Sequence, residues 1–263
     1  MISYYKGKFL DSKTININEK LFRGIGIFET VKFTNKKMLF FDEHIDRLFS
    51  NNFFDLSKIN KEKIHLDAIK VINKNSISEG LIKIIMIPLS ENWDDLEYYI
   101  FIRKLPQDTE DCVKIIFYSE NLYPILRFHP MYKSLSYMGN IIAIRDAKLE
   151  GAFEPIFYNK SHIITEGAIR NIFFIKNDTI YTPSSELGIL NGITRQKVIQ
   201  LAISEGYKVN ETHINYDNIN NMDEAFITSS AVDILPCDWN GWSSHHAITI
   251  KLKNLYKQIL KNQ

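Results

Sequence analysis

The sequence predicts an α+β protein of two units, and three observations carry that reading. Short apolar runs of strand length recur along the chain, amphipathic helical segments interrupt them without a strict βαβ order, and the proline-bearing stretch NLYPILRFHP separates two such sets. A small unit is read over residues 1–119, a connector over 120–130 and a larger unit over 131–263. With 263 residues and 45% hydrophobic content, the chain has enough apolar material for a core in each.

In the first unit, ISYY and KFLD flank Lys6-Gly7 as one hairpin, and FETVKF and MLFF flank TNKK as a second. Asp42 is read as the N-cap of EHIDRLFSNN, whose Ile45, Leu48 and Phe49 share a face. A second helix over 61–73 carries Ile64, Ala68, Ile69 and Ile72. LIKIIMI, EYYIFIRKL and CVKIIFY then read as consecutive strands that complete the unit. The second unit opens with Lys133 and a helix through SYMGNIIAIRDAKLEGA, on which Tyr137, Ile141, Ile144 and Ala147 share a face. EPIFY, HIIT, NIFFIK and TIYT follow as strands. Gly192 leads into the helix TRQKVIQLAISEG, for which Gly206 is the exit. KVNETHI and EAFITSS are further strands, and AITIKLKNLYKQIL is an amphipathic helix.

Composition excludes several functions. Thirty-two basic residues against 31 acidic ones leave a net charge of +1, and the lysines are scattered, so nucleic acid is not an expected partner. Cys112 and Cys237 form no CxxC pair, which suits a reducing cytoplasm and offers no thiolate metal site; His245 and His246 are adjacent, point apart in regular structure, and give no metal pair. The sequence MISYYKGKFLDSKTI lacks a secretory pattern and nowhere do 18 apolar residues run together, so a membrane is not expected either.

Three features of the second half belong together chemically. Lys133 stands ahead of a helix, Glu166 sits between two apolar runs, and Gly192-Ile193-Thr194 opens a helix. A lone buried carboxylate costs several kcal/mol unless a cation or hydrogen-bond donor meets it. A helix start with free N–H groups and the positive end of the dipole is a ready phosphate site. An amine, an acid and a phosphate site together suggest a phosphorylated cofactor.

In the order RGIGIFETVKF, FDEHIDRL, YKSLSYMGNIIAIRDAK, TEGAIRNIFFIKND, GILNGITRQKVIQLA and DEAFITSSAVDILP, the chain resembles the fold-type IV pyridoxal-phosphate enzymes. That family includes branched-chain and D-amino acid aminotransferases and aminodeoxychorismate lyase. The resemblance implies a small α+β domain, a larger domain with a β-barrel-like core, pyridoxal 5'-phosphate as cofactor between them, and a homodimer. It makes Lys133 the lysine that carries the cofactor and moves the substrate's α-proton, and Glu166 the partner of the pyridine nitrogen. It assigns the phosphate to Arg47, the backbone of Ile193 and Thr194, the Thr194 hydroxyl and Ser230, with Asn171 in the cofactor loop and Tyr137 at the phenolic oxygen. Unlike most relatives, this chain has Arg23 in place of an aromatic and Lys83 in place of a strand arginine. Arg23, Lys83, Arg170 and Ala231 are therefore the substrate-side candidates, with Arg170 as a possible brace of the cofactor loop. Transamination between an amino acid and a 2-keto acid is the activity expected. Pyruvate-releasing aminodeoxychorismate lyase, to which Asn191 ahead of Gly192 points, is the alternative, and a non-catalytic binding protein with this fold is the other.

Overall fold

The structure, a computed structural model, describes residues 2–5, 7–11, 20, 23–89, 93–106, 110–123 and 131–263. Lys6 and most of the connector, 124–130, lie outside the described residues. The chain divides into two units, residues 1–105 with 132–136 and residues 106–131 with 137–263.

The first unit is a six-stranded antiparallel sheet in the order β2-β1-β6-β5-β3-β4. Its strands are β1 (Ile2–Tyr5), β2 (Lys8–Asp11), β3 (Ile27–Thr34), β4 (Lys37–Met38), β5 (Glu79–Pro88) and β6 (Leu96–Arg103). Helices α1 (Phe41–Phe49) and α2 (Lys61–Asn75) pack on it, burying Ile45, Leu48, Ile64, Ala68, Val71 and Ile72 against Val31, Phe33, Ile82 and Ile84. The Asn60 side chain caps α2 by accepting from the Lys63 N–H at 2.9 Å.

Helix α1 starts earlier than the sequence reading has it. Its cap residue is Phe40, in left-handed backbone at φ 53, and Asp42 falls in the first turn. Leu39, Phe40 and Phe41 are all buried, so apolar burial and not a polar cap sets the turn into the helix. The expected strand MLFF shortens to β4 for the same reason.

The second unit is an eight-stranded mixed sheet in the order β12-β11-β10-β13-β14-β7-β8-β9. Its strands are β7 (Val113–Ser119), β8 (Glu154–Tyr158), β9 (Ile164–Gly167), β10 (Asn171–Lys176), β11 (Thr179–Pro183), β12 (Lys208–Thr212), β13 (Glu224–Ser229) and β14 (Asp233–Asp238). At one end of that order, β9 nevertheless lies against β10 and β11, so the sheet curls back as a half-barrel. Ile156, Ile164, Ile172, Phe174, Ala225, Ile227 and Leu235 fill it. Helices α3 (Met138–Leu149), α4 (Ile193–Ser204) and α5 (Ala247–Asn262) belong to this unit.

Two segments change sides relative to the sequence reading. β7 pairs in parallel with β8 and β14 in the second sheet, a long-range pairing that adjacency to β6 conceals. Residues 132–136 instead run beside β3: the Phe28 N–H donates to the Lys133 carbonyl at 2.8 Å and the Leu135 N–H to the Gly26 carbonyl at 2.9 Å. The buried face of α3 also differs, comprising Asn140, Ala143 and Ala147, while Ile141 is exposed. Asn140 turns inward because its amide donates to the Ala168 carbonyl at 2.7 Å.

Candidate active site

In the first unit the site begins with an acid on an apolar face. Along β3, Ile27, Glu29, Val31 and Phe33 alternate inward. Glu29 therefore meets α1, whose His44 and Arg47 lie three residues apart on one face. Arg47 donates from Nε to Glu29 Oε1 at 2.6 Å and from Nη2 to Oε2 at 2.8 Å; His44 Nδ1 is 2.8 Å from Oε2. Burial alone pushes the Glu29 carboxyl up, but the Arg47 charge and the His44 ring outweigh it and hold the group well below the usual carboxylate range. Burial pushes His44 down, Glu29 opposes it, and the charges of Arg47 and then Lys133 push further down.

Lys133 is half-buried, with Nζ 4.8 Å from the centre of the Phe28 ring. Lys83 lies over the same ring at 3.9 Å. Burial, then the charges of Lys133 and Arg103, lower the Lys83 ammonium to about 8. Gly26 is what admits the Lys133 segment: a Cβ there would lie 2.6 Å from the Met86 carbonyl and 2.8 Å from Leu135 Cδ1. Arg23 is exposed at the turn ahead of it.

In the second unit the buried Glu166, on β9, accepts from the Leu190 N–H at 3.2 Å and from Asn171 Nδ2 at 3.4 Å. Asn171 Nδ2 also donates to the Leu190 carbonyl at 2.8 Å. One loop thus ties the acid to the start of α4, where Gly192 is the cap residue and supplies no side-chain hydrogen bond to the helix. A Cβ on Gly192 would run into Asn171 Oδ1. Thr194 is buried and bonded to Tyr256 of α5, while Ser230 and Ala231, just after β13, are half-buried. Tyr137 is the cap residue of α3 and is half-buried.

The class IV aminotransferase family model matches residues 26–238. The chain belongs to the class IV aminotransferases. It is 29% identical over 246 residues to D-alanine aminotransferase of Listeria monocytogenes, covering 86% of this chain and 82% of that one. It is 27% identical over 282 residues to aminodeoxychorismate lyase of Bacillus subtilis, covering 98% and 94%. Its fold matches branched-chain aminotransferase of Thermoproteus uzoniensis, solved with norvaline, at a TM-score of 0.84 and 23% identity over 98% of this chain and 94% of that one.

Class IV aminotransferases are pyridoxal-phosphate enzymes, and the donors in this one suit such a group. The N–H groups at the start of α4 meet no side-chain cap, as a phosphate site requires. The Thr228 hydroxyl, buried opposite Asn171 in the β10–β13 pair, has no hydrogen-bond partner among the described residues.

Arg170 departs from its substrate-side reading. Its Nη1 donates to the fully buried Glu154 and its guanidinium lies 4.3 Å over the Phe153 ring, so its charge braces the loop after β9. Asn191 likewise accepts from Arg195 Nη1 at 3.2 Å; Arg195 is itself buried and bonded to Glu211 at 2.6 Å. Sequence reasoning missed Glu29, His44, Glu154 and Arg195. A signal existed for the first: Glu29 shares strand parity with Ile27, Val31 and Phe33, which places it inside.

Proposed function

We propose that this chain moves an amino group between an amino acid and a 2-keto acid with pyridoxal 5'-phosphate. The observation that carries the reading is the buried Glu166, held by Asn171 of β10 and by Leu190 in the loop that opens the uncapped helix α4. Such an arrangement suits a ligand with a basic nitrogen and a phosphate. Bound pyridoxal phosphate supplies a sink for the electron pair left when the substrate Cα–H bond breaks. Glu166 then holds a proton on the ring nitrogen, the Lys133 amine takes and returns the Cα proton, and Asn171 and Tyr137 orient the ring. Arg47, Thr194, Ser230 and the Ile193 and Thr194 N–H groups bind the phosphate.

The substrate class is a dicarboxylate amino donor, glutamate in the simplest case. Lys83 is the partly desolvated cation beside Lys133 and so carries this assignment, with Arg23, exposed in the single chain, as its second candidate and Ala231 as a further substrate-side residue. The lyase reading rests on Asn191, and the bond from Arg195 to its side chain supports a loop brace instead. The sequence keeps both Lys133 and Glu166, which speaks for a catalyst over a binding protein.

A homodimer fits the exposed apolar row on α3, where Met138 and Ile141 stand one turn apart at 78% and 56% exposure. A cytoplasmic setting fits the two free cysteines. Among the described residues, no helix is long and apolar enough to cross a membrane.

The test is a visible spectrum of purified protein, followed by single additions of glutamate, alanine, leucine, their D-forms and aminodeoxychorismate. We expect a yellow protein whose band is converted by glutamate, a conversion weakened by Lys83→Ala, and a colour lost in Lys133→Ala. A protein that stays colourless with added pyridoxal phosphate refutes the cofactor. Pyruvate release from aminodeoxychorismate with no conversion by any amino acid establishes the lyase.

A further inference from the structure

Away from the residues assigned to the cofactor, three donors from separate segments of the second unit converge. Cys112 immediately precedes β7, Asp238 ends β14 and His246 precedes α5. The Cys112 Sγ lies 3.5 Å from His246 Nε2, and that nitrogen lies 2.7 Å from Asp238 Oδ1. One ligating atom from each of the three residues falls within 4.8 Å of the other two.

We propose that Cys112, Asp238 and His246 form a binding site for a divalent transition metal of the zinc type, with water completing the tetrahedron.

The donor set is the first argument. A thiolate, an imidazole and a carboxylate are the ligands zinc takes, and three protein ligands with one open position is a recurrent arrangement. Distance is the second. Zinc bonds of about 2.3 Å to sulfur and about 2.0–2.1 Å to nitrogen, at tetrahedral angles, separate S from N by roughly 3.5 Å, the separation already present. The Nε2 to Asp238 gap would widen by roughly 0.7 Å on the same geometry, and the Asp238 side chain, about one-third exposed, has room to turn.

The other uses of such a cluster do not match the contacts. A nucleophile relay needs the thiol on one ring nitrogen and the acid on the other, yet both approach Nε2, and Nδ1 is buried with no partner. A helix cap is not needed either. Glu224 already accepts from the N–H groups of Ile248 and Thr249 at 2.9 and 2.8 Å, and from the Thr249 hydroxyl at 2.7 Å.

Charge favours a cation as well. Burial first, then the negative charges of Asp238 and Glu110, push the Cys112 thiol up, with Lys253 opposing, so a bound cation displaces its proton. A bound ion would fasten the start of α5 to β7 and β14. The same helix carries Tyr256, the partner of Thr194. No CxxC or HxxxH spacing announces the site, because its ligands are 134 and 8 residues apart.

The experiment is calorimetric titration of zinc chloride, and spectroscopic titration of cobalt chloride, into chelator-treated holoenzyme. Cobalt is followed by its d–d bands beyond the cofactor's absorption. The expected result is one equivalent per chain, with the tetrahedral cobalt bands lost and zinc affinity lowered at least about tenfold in Cys112→Ser and in Asp238→Asn. Cys237→Ser, which alters the other thiol, should bind as wild type does. Unchanged affinity in both ligand variants, or no saturable equivalent in wild type, overturns the site. Folding of each variant is checked by its circular dichroism and retained cofactor colour, and an Asp238→Glu variant that regains binding would exclude mere loss of fold.

Discussion

Replacing Glu29 with Gln tests whether Arg47 is held by a buried acid. In the native protein Glu29 is 1% exposed and receives Nε and Nη2 of Arg47 together with His44. The amide keeps the shape but loses the charge and turns an acceptor into a donor that faces the guanidinium. Breaking one side of a buried ion pair costs about 3–5 kcal/mol. The near-isosteric Gln puts this change at the lower end, about 3 kcal/mol, which for a chain of this size is a fall in Tm of roughly 6–12 °C. The pH dependence is the sharper test. The native-state carboxyl lies below its unfolded value of 4.5, so its contribution is fully present above that pH and is lost as pH falls towards the native value. Thermal melts of wild type and Glu29→Gln should therefore differ in full above about pH 4.5 and begin to converge only as pH falls below it. A difference under about 2 °C at neutral pH, or one that does not change between neutral and acid pH, would refute the reasoning.

Glu166→Gln should retain cofactor colour but lose about 10²-fold or more in turnover, since an amide cannot hold a proton on the ring nitrogen; steady-state rates within a small factor of wild type would show that the acid does not face that nitrogen. Lys83, lowered to about 8 by burial and by Lys133 and Arg103, is charged below that pH and neutral above it. The KM for glutamate should accordingly rise as pH passes about 8 while the KM for alanine does not, and parallel profiles for the two substrates would remove Lys83 from carboxylate binding. Sedimentation should give about twice the 30.7 kDa chain mass, and Met138→Glu should shift it towards the monomer; a fully active monomer would end the dimer proposal.

Local pattern reached most of the elements and stopped where partners are distant in the chain. The hairpin β1–β2, the strands β5 and β6, the helix α2 and the turn into α4 all follow from periodicity and from capping or turn residues beside them. β7 did not, because a strand that is apolar on both faces fits either sheet, and its parallel partners lie far along the chain. The face of α3 was partly misread because one polar residue, Asn140, turns inward to a buried carbonyl while Ile141 turns out, although Ile144 and Ala147 pack against the core as read. In the site, the groups proposed to face the cofactor were legible through family motifs. Their supports include Glu29 and Glu154, acids inside apolar runs, and Arg195, among polar neighbours at a helix start; in both settings sequence reasoning assigns charge to the solvent side.

Those supports have a common form that bears on how the enzyme works. Arg47 is held by Glu29, Arg170 by Glu154 and Arg195 by Glu211; the second and third of these lie beside the segments that carry Glu166 and the start of α4. The Glu29 and Glu154 acids are buried while Glu211 is exposed; ion pairs of either kind add little net stability compared with apolar packing, through desolvation in the first case and solvent screening in the second. Their effect here is positional. A guanidinium gripped at two nitrogens has one plane, and Arg195, by bonding Pro183 and Asn191 as well as Glu211, leaves the loop ahead of Gly192 one path. Donors fixed before a ligand arrives need not be ordered by its binding, so the cost of assembling the proposed phosphate site falls on folding and not on cofactor affinity. Substitutions at the supports should therefore appear first as weaker cofactor retention and lower stability, while substitutions at Glu166 appear first in turnover.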